Sequence, residues 1–257
     1  MYWSAVTTVR PRTIAQLPSL AADTFAGRAA LRAKRDGDWH DTSYEQHGRH
    51  VRALALGLLG EIAPGDRVGL LSSTRPEWTL VDHAVTSAGG VVVPIYATSS
   101  PDECEWVLHD SGATVVVCED AAQAAKIGKV RGRLPELRRV VVIDGDGDGG
   151  HHGDAEATVA ELAERGAAED GGPAADELSR RREAVQPDDP YTFVYTSGTT
   201  GRPKGCVLTH ANLVFLCELA RDVQIIRPGD VVYLYLPLAH VFARIVELAA
   251  PTVGATV

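Results

Sequence analysis

Residues 196–205 have the composition of a phosphate-binding loop. They combine four hydroxyl side chains, three glycines and one lysine, directly after an apolar run that predicts a strand. Glycines allow backbone amides to point into a concavity that suits an anion, and hydroxyl groups rotate to donate to phosphate oxygens. Lys204 adds a compact positive charge, and Pro203 stiffens the loop just before it. The predicted phosphate-binding residues are Thr196, Ser197, Gly198, Thr199, Thr200, Gly201 and Lys204.

This loop is not a Walker A motif, because Pro203 stands where that motif requires glycine. A polar hairpin with one exposed lysine remains the alternative. A second glycine pattern, in residues 145–150, has dinucleotide-binding spacing, but Asp146 and Asp148 would face a pyrophosphate. The same aspartates match only half of a calcium loop, whose twelfth position holds Ala155 instead of glutamate. Residues 144–154 are therefore predicted to form an acidic loop, and no metal ligand is assigned.

The negative charge of the chain is concentrated in one segment. The 257 residues carry a formal net charge of −9, and residues 144–190 contain 14 acidic and 4 basic side chains. The rest of the chain is nearly neutral and has no arginine-rich stripe with interleaved aromatic residues. This distribution argues against nucleic-acid binding. A hydrophobic content of 45% and a charged content of 23% are typical of a globular protein.

Scattered cysteines and missing targeting patterns predict a cytoplasmic protein. The cysteines form no Cys-x-x-Cys pair, so we expect all four to be buried and reduced. They are Cys104, Cys118, Cys206 and Cys217. The first residues lack the basic and apolar regions of a secretory signal. No apolar run reaches the ~18 residues that span a bilayer, which leaves peripheral membrane contact open. The sequence does not indicate the oligomeric state.

Strand and helix patterns alternate from residue 29 to 143 and predict an α/β fold. Uninterrupted β-branched runs such as Val91–Ile95 indicate strands covered on both faces. Capping boxes at Thr42 with Glu45, and at Ser100 with Glu103, mark helix starts. Short turns between these elements favour a largely parallel sheet flanked by helices. The predicted division is a first α/β subdomain (1–143), an acidic connecting excursion (144–188) and the start of a second α/β subdomain (189–257).

The glycine–threonine loop closely resembles the phosphate-binding signature of the adenylate-forming (AMP-binding) enzymes. That superfamily includes acyl-CoA synthetases, peptide-synthetase adenylation domains and luciferases. Residues 236–244 (LPLAHVFAR) are similar to a second family segment, in the form typical of long-chain fatty-acyl-CoA synthetases. Residues 73–78 and 93–100 fit the same branch. The resemblance runs from about residue 10 to the last residue, and it implies the fold of the family's N-terminal domain.

The resemblance implies a two-step ligase acting on small molecules: a fatty acid, ATP and coenzyme A. The carboxylate attacks the α-phosphate of ATP to give an acyl-adenylate and pyrophosphate, and the thiol of coenzyme A then displaces AMP. Lys204 and the loop before it would hold the β- and γ-phosphates with Mg²⁺ assisting, because pyrophosphate is the leaving group. His240 would order the carboxylate where the adenylate and acyl sites meet. A partly buried histidine without a catalytic role is the alternative.

The family segments for adenine, ribose and magnesium, and the adenylation lysine, find no match in these 257 residues. We therefore expect the chain to be the N-terminal part of a long-chain fatty-acid–CoA ligase that is inactive alone. Two alternatives stay open. One is an adenylate-forming enzyme for another carboxylic acid, and the other is a nucleotide-binding or interaction module without catalysis.

Overall fold

The chain forms an α/β structure around a largely parallel sheet. A computed structural model describes residues 7–145, 153–196 and 201–257. Its strands are β1 Ala29–Arg35, β2 Asp38–Ser43, β3 Arg67–Leu71, β4 Val91–Ile95, β5 Ala113–Cys118, β6 Arg139–Val142, β7 Ala157–Thr158, β8 Pro190–Thr196 and β9 Lys204–Thr209. The main sheet has the order β7-β6-β5-β3-β4-β8-β9, and within this sheet β8–β9 is the only antiparallel pair among the described strands. This confirms the predicted fold class.

Helices cover both faces of this sheet. They are α1 Leu17–Phe25, α2 Tyr44–Leu58, α3 Pro76–Ser87, α4 Pro101–Ser111, α5 Ala121–Gly128, α6 Val159–Ala168, α7 Pro173–Ala184, α8 His210–Asp222 and α9 Val241–Val253. Along β5, Val115 and Val117 pack with α2, α3 and α6, whereas Val116 and Cys118 pack with α4 and α5. Alternate strand residues point to opposite faces, so both faces are buried as predicted. In the described part of the chain, no helix has the length and apolar character needed to cross a membrane.

The capping boxes show how local sequence starts two of these helices. Ser100 Oγ accepts from the Glu103 amide at 3.3 Å, and the Ser100 amide donates to Glu103 Oε2 at 2.7 Å, which confirms the predicted start of α4. The box predicted to begin at Thr42 is wrong by one residue, because Ser43 caps α2 and Gln46 completes the box. Strand β2 continues through Ser43, so the extended backbone that an N-cap needs lies one residue later.

Residues 153–184 differ from the solvated excursion that their charge predicted. β7 pairs with β6 and extends the sheet, and Leu162 of α6 lies in the hydrophobic core. α6 crosses α2 at two glycines. A Cβ atom on Gly57 would lie 1.9 Å from the Leu162 carbonyl oxygen, and one on Gly166 would lie 2.0 Å from the Ala53 carbonyl oxygen. These glycines let the two helix backbones touch, which builds the acidic segment into the fold.

The acidic loop predicted for residues 144–154 lies only partly within the described residues. Residues 146–152, which include most of the dinucleotide-like and calcium-like patterns, lie outside them. Both carboxylate oxygens of Asp144 accept hydrogen bonds from Arg75, at 2.6 and 2.8 Å. Because Arg75 is the residue before α3, this ion pair anchors the start of the acidic segment to the start of that helix.

β8 and β9 lie in the same sheet as β3–β7, although the sequence division assigned them to a second subdomain. β8 pairs in parallel with β4, and β9 forms the outer edge. Thr192 Oγ1 donates to the Val92 carbonyl oxygen at 2.7 Å, which adds a side-chain bond to the parallel pair. The partner strand lies 100 residues earlier in the chain, so local pattern could not reveal the pairing.

Three of the four cysteines are buried, as predicted, and all four are free thiols. Burial raises the pKa of the Cys104 thiol to about 11 and that of Cys217 to about 12. The prediction of burial is wrong for Cys206, which is exposed. Cys206 lies on β9, and an edge strand whose first four residues are exposed does not bury its side chains.

Candidate active site

The β8–β9 hairpin carries the predicted phosphate-binding loop. Thr196 ends β8, Lys204 begins β9, and the two residues are partners in the antiparallel register. Gly201 has a φ of +98°, a left-handed conformation that glycine adopts without strain. The remaining predicted contacts lie outside the described residues: Ser197, Gly198, Thr199 and Thr200. The structure thus brings Thr196 and Lys204 together at the base of the loop.

Helix α4 holds β8 and the residues just before β9 through side chains that the sequence analysis did not single out. Trp106 Nε1 donates to the Pro203 carbonyl oxygen at 2.8 Å, and the Arg202 guanidinium lies 4.7 Å from the centre of the Trp106 ring. Asp110 accepts from the Tyr195 hydroxyl at 2.7 Å. Residues four apart on a helix share a face, so Trp106 and Asp110 both reach the hairpin. That spacing is visible in the sequence, but partners 97 and 85 residues away are not.

His240 is the N-cap of α9, and its side chain is exposed. Its Nδ1 accepts a hydrogen bond from the Phe242 amide at 3.3 Å. The residues before it are fixed to the loop after β3. Thr74 Oγ1 donates to the Leu236 carbonyl oxygen at 2.9 Å and accepts from the Leu238 amide at 3.0 Å. Two of the sequence segments that carry the family resemblance therefore meet in the structure.

Thr196 and His240 line one cavity of about 350 Å³, together with Pro203 just before the lysine. The cavity lies at the carboxyl ends of β4 and β8, the edge of an open parallel sheet where ligands commonly bind. A larger cavity, of about 800 Å³, lies at the opposite edge beside the amino ends of β3, β4 and β8. We assign the candidate site to the smaller cavity because of its sheet edge and its predicted residues.

The described residues include one group of three potential metal ligands, Asp82, His83 and Glu247, whose ligand atoms lie within 4.8 Å of one another. All three side chains are buried. Asp82 is already bonded, since one carboxylate oxygen accepts from Arg244 and the other from the Tyr191 hydroxyl. The Arg244 guanidinium also puts a positive charge beside any cation. Because Asp82 is taken up by Arg244 and Tyr191 and the guanidinium lies beside the group, we assign no metal centre to these three residues.

The Glu247→Gln substitution is expected to stabilise the chain at pH 8 and to change its stability little at pH 5. Burial, reinforced by the Asp82 charge, raises the pKa of the Glu247 carboxyl from 4.5 to about 8. As the pH rises through this window, the unfolded chain loses a proton that the folded chain keeps, so wild-type stability falls. Glutamine does not titrate, so it removes this fall of stability with pH. Thermal melts should show a Tm several degrees above wild type at pH 8 only.

The exposed glutamate Glu164 of α6 provides the control for this measurement. Glu164→Gln should leave the dependence of Tm on pH unchanged. If Glu247→Gln differed from wild type in Tm by the same amount at pH 5 and at pH 8, the folded chain would not be holding the Glu247 proton as expected.

Comparison with known proteins decides the family. The AMP-binding enzyme pattern matches residues 19–257, which include the hairpin, the cavity and His240. The chain belongs to the AMP-binding enzyme family. The family resemblance seen in the sequence is thereby confirmed over nearly the whole chain.

The curated relatives of this AMP-binding chain include long-chain-fatty-acid–CoA ligases. FadD15 of Mycobacterium bovis is 42% identical over 218 residues, which are 84% of this chain and 34% of that protein. ACSBG1 of Mus musculus is 34% identical over 246 residues, which are 94% of this chain and 33% of that protein. The chain spans about a third of the length of these relatives.

Solved structures share the AMP-binding fold. A long-chain-fatty-acid-CoA ligase, FadD1 of Archaeoglobus fulgidus, superposes with a TM-score of 0.77 at 21% identity, covering 99% of this chain and 49% of that one. The inhibitor-bound N-terminal domain of FACL13 from Mycobacterium tuberculosis superposes with a TM-score of 0.69 at 25% identity, covering 96% of this chain and 57% of that one. The match to an N-terminal domain agrees with the predicted fold class.

Proposed function

We propose that this chain is part of an enzyme that activates a long-chain fatty acid with ATP and transfers it to coenzyme A. The observation that carries the proposal is the cavity shared by Thr196 and His240, in a chain 42% identical to a long-chain-fatty-acid–CoA ligase. First, the fatty carboxylate attacks the α-phosphate of ATP and pyrophosphate leaves. The thiol of coenzyme A then attacks the acyl carbonyl, and AMP leaves.

The hairpin is the proposed phosphate-binding element. Lys204 is exposed at the start of β9, where its charge can reach the β- and γ-phosphates. The Thr196 hydroxyl and the loop hydroxyls and amides donate to phosphate oxygens. The Thr196 oxygen is also a ligand of the type that Mg²⁺ prefers, and the ion would offset the charge of the phosphates. Across the cavity, His240 is proposed to orient the carboxylate.

A cytoplasmic location is part of the same proposal, with any membrane contact peripheral. Cys104, Cys118 and Cys217 are free and buried, and no thiol is paired in a disulfide. Free buried cysteines are typical of a reducing compartment.

Fatty-acid-dependent exchange of radiolabelled pyrophosphate into ATP tests this proposal in the full-length enzyme. We expect palmitate to support exchange and the addition of coenzyme A to give palmitoyl-CoA. Exchange with benzoate but not with palmitate would instead indicate an adenylate-forming enzyme for another carboxylic acid. ATP binding without exchange for any acid would indicate a nucleotide-binding module.

Substitutions at His240 separate the proposed role of the ring from its role as a helix cap. Both His240→Asn and His240→Ala should lower kcat/KM for the fatty acid by about 10–100-fold, because the carboxylate loses a positioning partner. Asparagine can still accept the Phe242 amide hydrogen bond, whereas alanine cannot and should lower stability by about 1 kcal/mol. Steady-state kinetics and thermal melts measure the two effects. Wild-type kinetics in His240→Asn would remove His240 from the site.

A further inference from the structure

A single buried guanidinium joins three elements beneath the candidate site. Arg244 of α9 is 1% exposed. Its Nη2 donates to Asp82 of α3 and to the Tyr191 hydroxyl of β8, and its Nη1 donates to Thr192 Oγ1 at 2.5 Å. The Tyr191 hydroxyl donates in turn to the second carboxylate oxygen of Asp82 at 2.5 Å. One side chain therefore ties the last helix to strand β8 and to α3.

Aromatic rings and a backbone carbonyl fix the orientation of this guanidinium. The Arg244 Cζ atom lies 4.5 Å from the centre of the Tyr191 ring and 5.2 Å from that of Trp78. Thr192, which accepts from Arg244, donates to the Val92 carbonyl oxygen of β4. A planar fork that is bonded at both Nη atoms and lies against two rings is held in one orientation.

Regular backbone connects both proposed site residues to this hydrogen-bonded guanidinium. His240 precedes Arg244 by four residues, about one helical turn or 6 Å of rise. Thr196 follows Thr192 by four residues along β8, about 13 Å of strand. Regular backbone transmits position more rigidly than a loop does. A displacement of Arg244 would therefore move His240 relative to Thr196.

Stability alone gives little reason to bury this ion pair. Removing an arginine and an aspartate from water costs free energy that their attraction often barely offsets, and apolar side chains of similar volume are often as stable. The hydrogen bonds of Arg244 do, however, fix the position of α9 relative to β8. We infer that Arg244 is a positioning residue that sets His240 against the Thr196 end of the hairpin. This inference rests on the proposed ligase function.

Arg244→Lys and Thr192→Val test the inference in the full-length enzyme. Lysine keeps a positive charge beside Asp82 but lacks the two Nη atoms with which the guanidinium also reaches Tyr191 and Thr192. Valine keeps the shape of Thr192 and removes the oxygen that accepts from Arg244. In both variants, kcat for palmitate-dependent pyrophosphate exchange should fall by about 10–100-fold, since a misplacement of about 1 Å can cost 10²-fold. KM for ATP should stay close to wild type.

Arg181 provides a matched control, because it is also a largely buried arginine bonded to a carboxylate and to backbone carbonyls. It bonds Glu177 at 2.7 Å and the Ile62 carbonyl oxygen at 2.7 Å, and it lines the cavity at the opposite edge of the sheet. Arg181→Lys should lower Tm and leave kcat and KM unchanged.

The possible results separate a positioning role from a purely structural one. Folded Arg244→Lys and Thr192→Val enzymes with wild-type kcat would overturn the inference and leave the ligase function standing. If Arg244→Lys does not fold, kcat of Thr192→Val decides alone. A wild-type enzyme without fatty-acid-dependent exchange would overturn the proposed function, and the inference with it.

Discussion

Lys204→Ala should reduce acyl-adenylate formation by the full-length enzyme by about 10²–10³-fold, the loss that follows removal of one preorganised charge-stabilising group. Lys204 is the cross-strand partner of Thr196 at the base of the loop, and its side chain is exposed. The negative charge on the departing pyrophosphate grows during the reaction, so a fixed cation there stabilises the transition state more than the substrate. The fall should therefore be larger in kcat than in ATP affinity. Palmitate-dependent pyrophosphate exchange measures it.

Lys34→Ala controls for the loss of an exposed strand lysine. Lys34 lies on β1, in the two-stranded sheet that is separate from the candidate site. Lys34→Ala should leave both Tm and the pyrophosphate exchange rate at wild-type values. Lys204→Ala should also keep the wild-type Tm, but its exchange rate should fall. Equal exchange rates in the two variants would reduce Lys204 to a surface residue.

A methyl group at Gly57 should cost stability at the upper end of the about 1–3 kcal/mol typical of overpacking, or more. The added Cβ would lie 1.9 Å from the Leu162 carbonyl oxygen and 2.6 Å from the carbonyl carbon. Backbone atoms cannot rotate away as side chains can, so α2 and α6 would have to separate. That movement would strip contacts from Leu162 in the core. Urea denaturation of the 257-residue chain should show a lower midpoint for Gly57→Ala.

Gly60→Ala makes the same chemical change three residues away. Among the described residues, no atom beyond the two chain neighbours of Gly60 lies within 4 Å of a Cβ built on it, so its substitution should change stability by no more than about 0.5 kcal/mol. Unfolding midpoints that agree between Gly57→Ala and Gly60→Ala would show that the helix crossing tolerates separation.

Local sequence accounts for much of the fold. The Ser100 box and the buried runs of β4 and β5 depend on residues within one helical turn or one strand, so their patterns predict them well. The contacts that assemble the elements are different. The contacts of Gly57 with Leu162 and of β4 with β8 join residues about 100 positions apart. The sequence around one partner does not indicate the other. The acidic charge of α6 predicted a solvated segment, but the same helix also has a buried apolar face.

The candidate site was predictable where a contiguous motif carries it. Thr196 and Lys204 belong to one short signature, and His240 belongs to a second. Trp106 and Arg244 contact partners far along the chain, so these contacts become visible only in the folded structure. The residues proposed to bind substrates are thus visible in the sequence, whereas the long-range contacts around them are not.

The position of β8 in the sheet has a consequence for biosynthesis. β4 ends at residue 95, and the strand that covers its free edge begins at residue 190. At about 5–20 residues per second, a ribosome needs about 5–20 s to make the intervening chain. During that interval the nascent protein presents an all-apolar strand edge, Val91–Ile95, that can pair with another chain. Ribosome-bound chains stalled before residue 190 should therefore recruit chaperones more strongly than chains stalled after the hairpin has emerged.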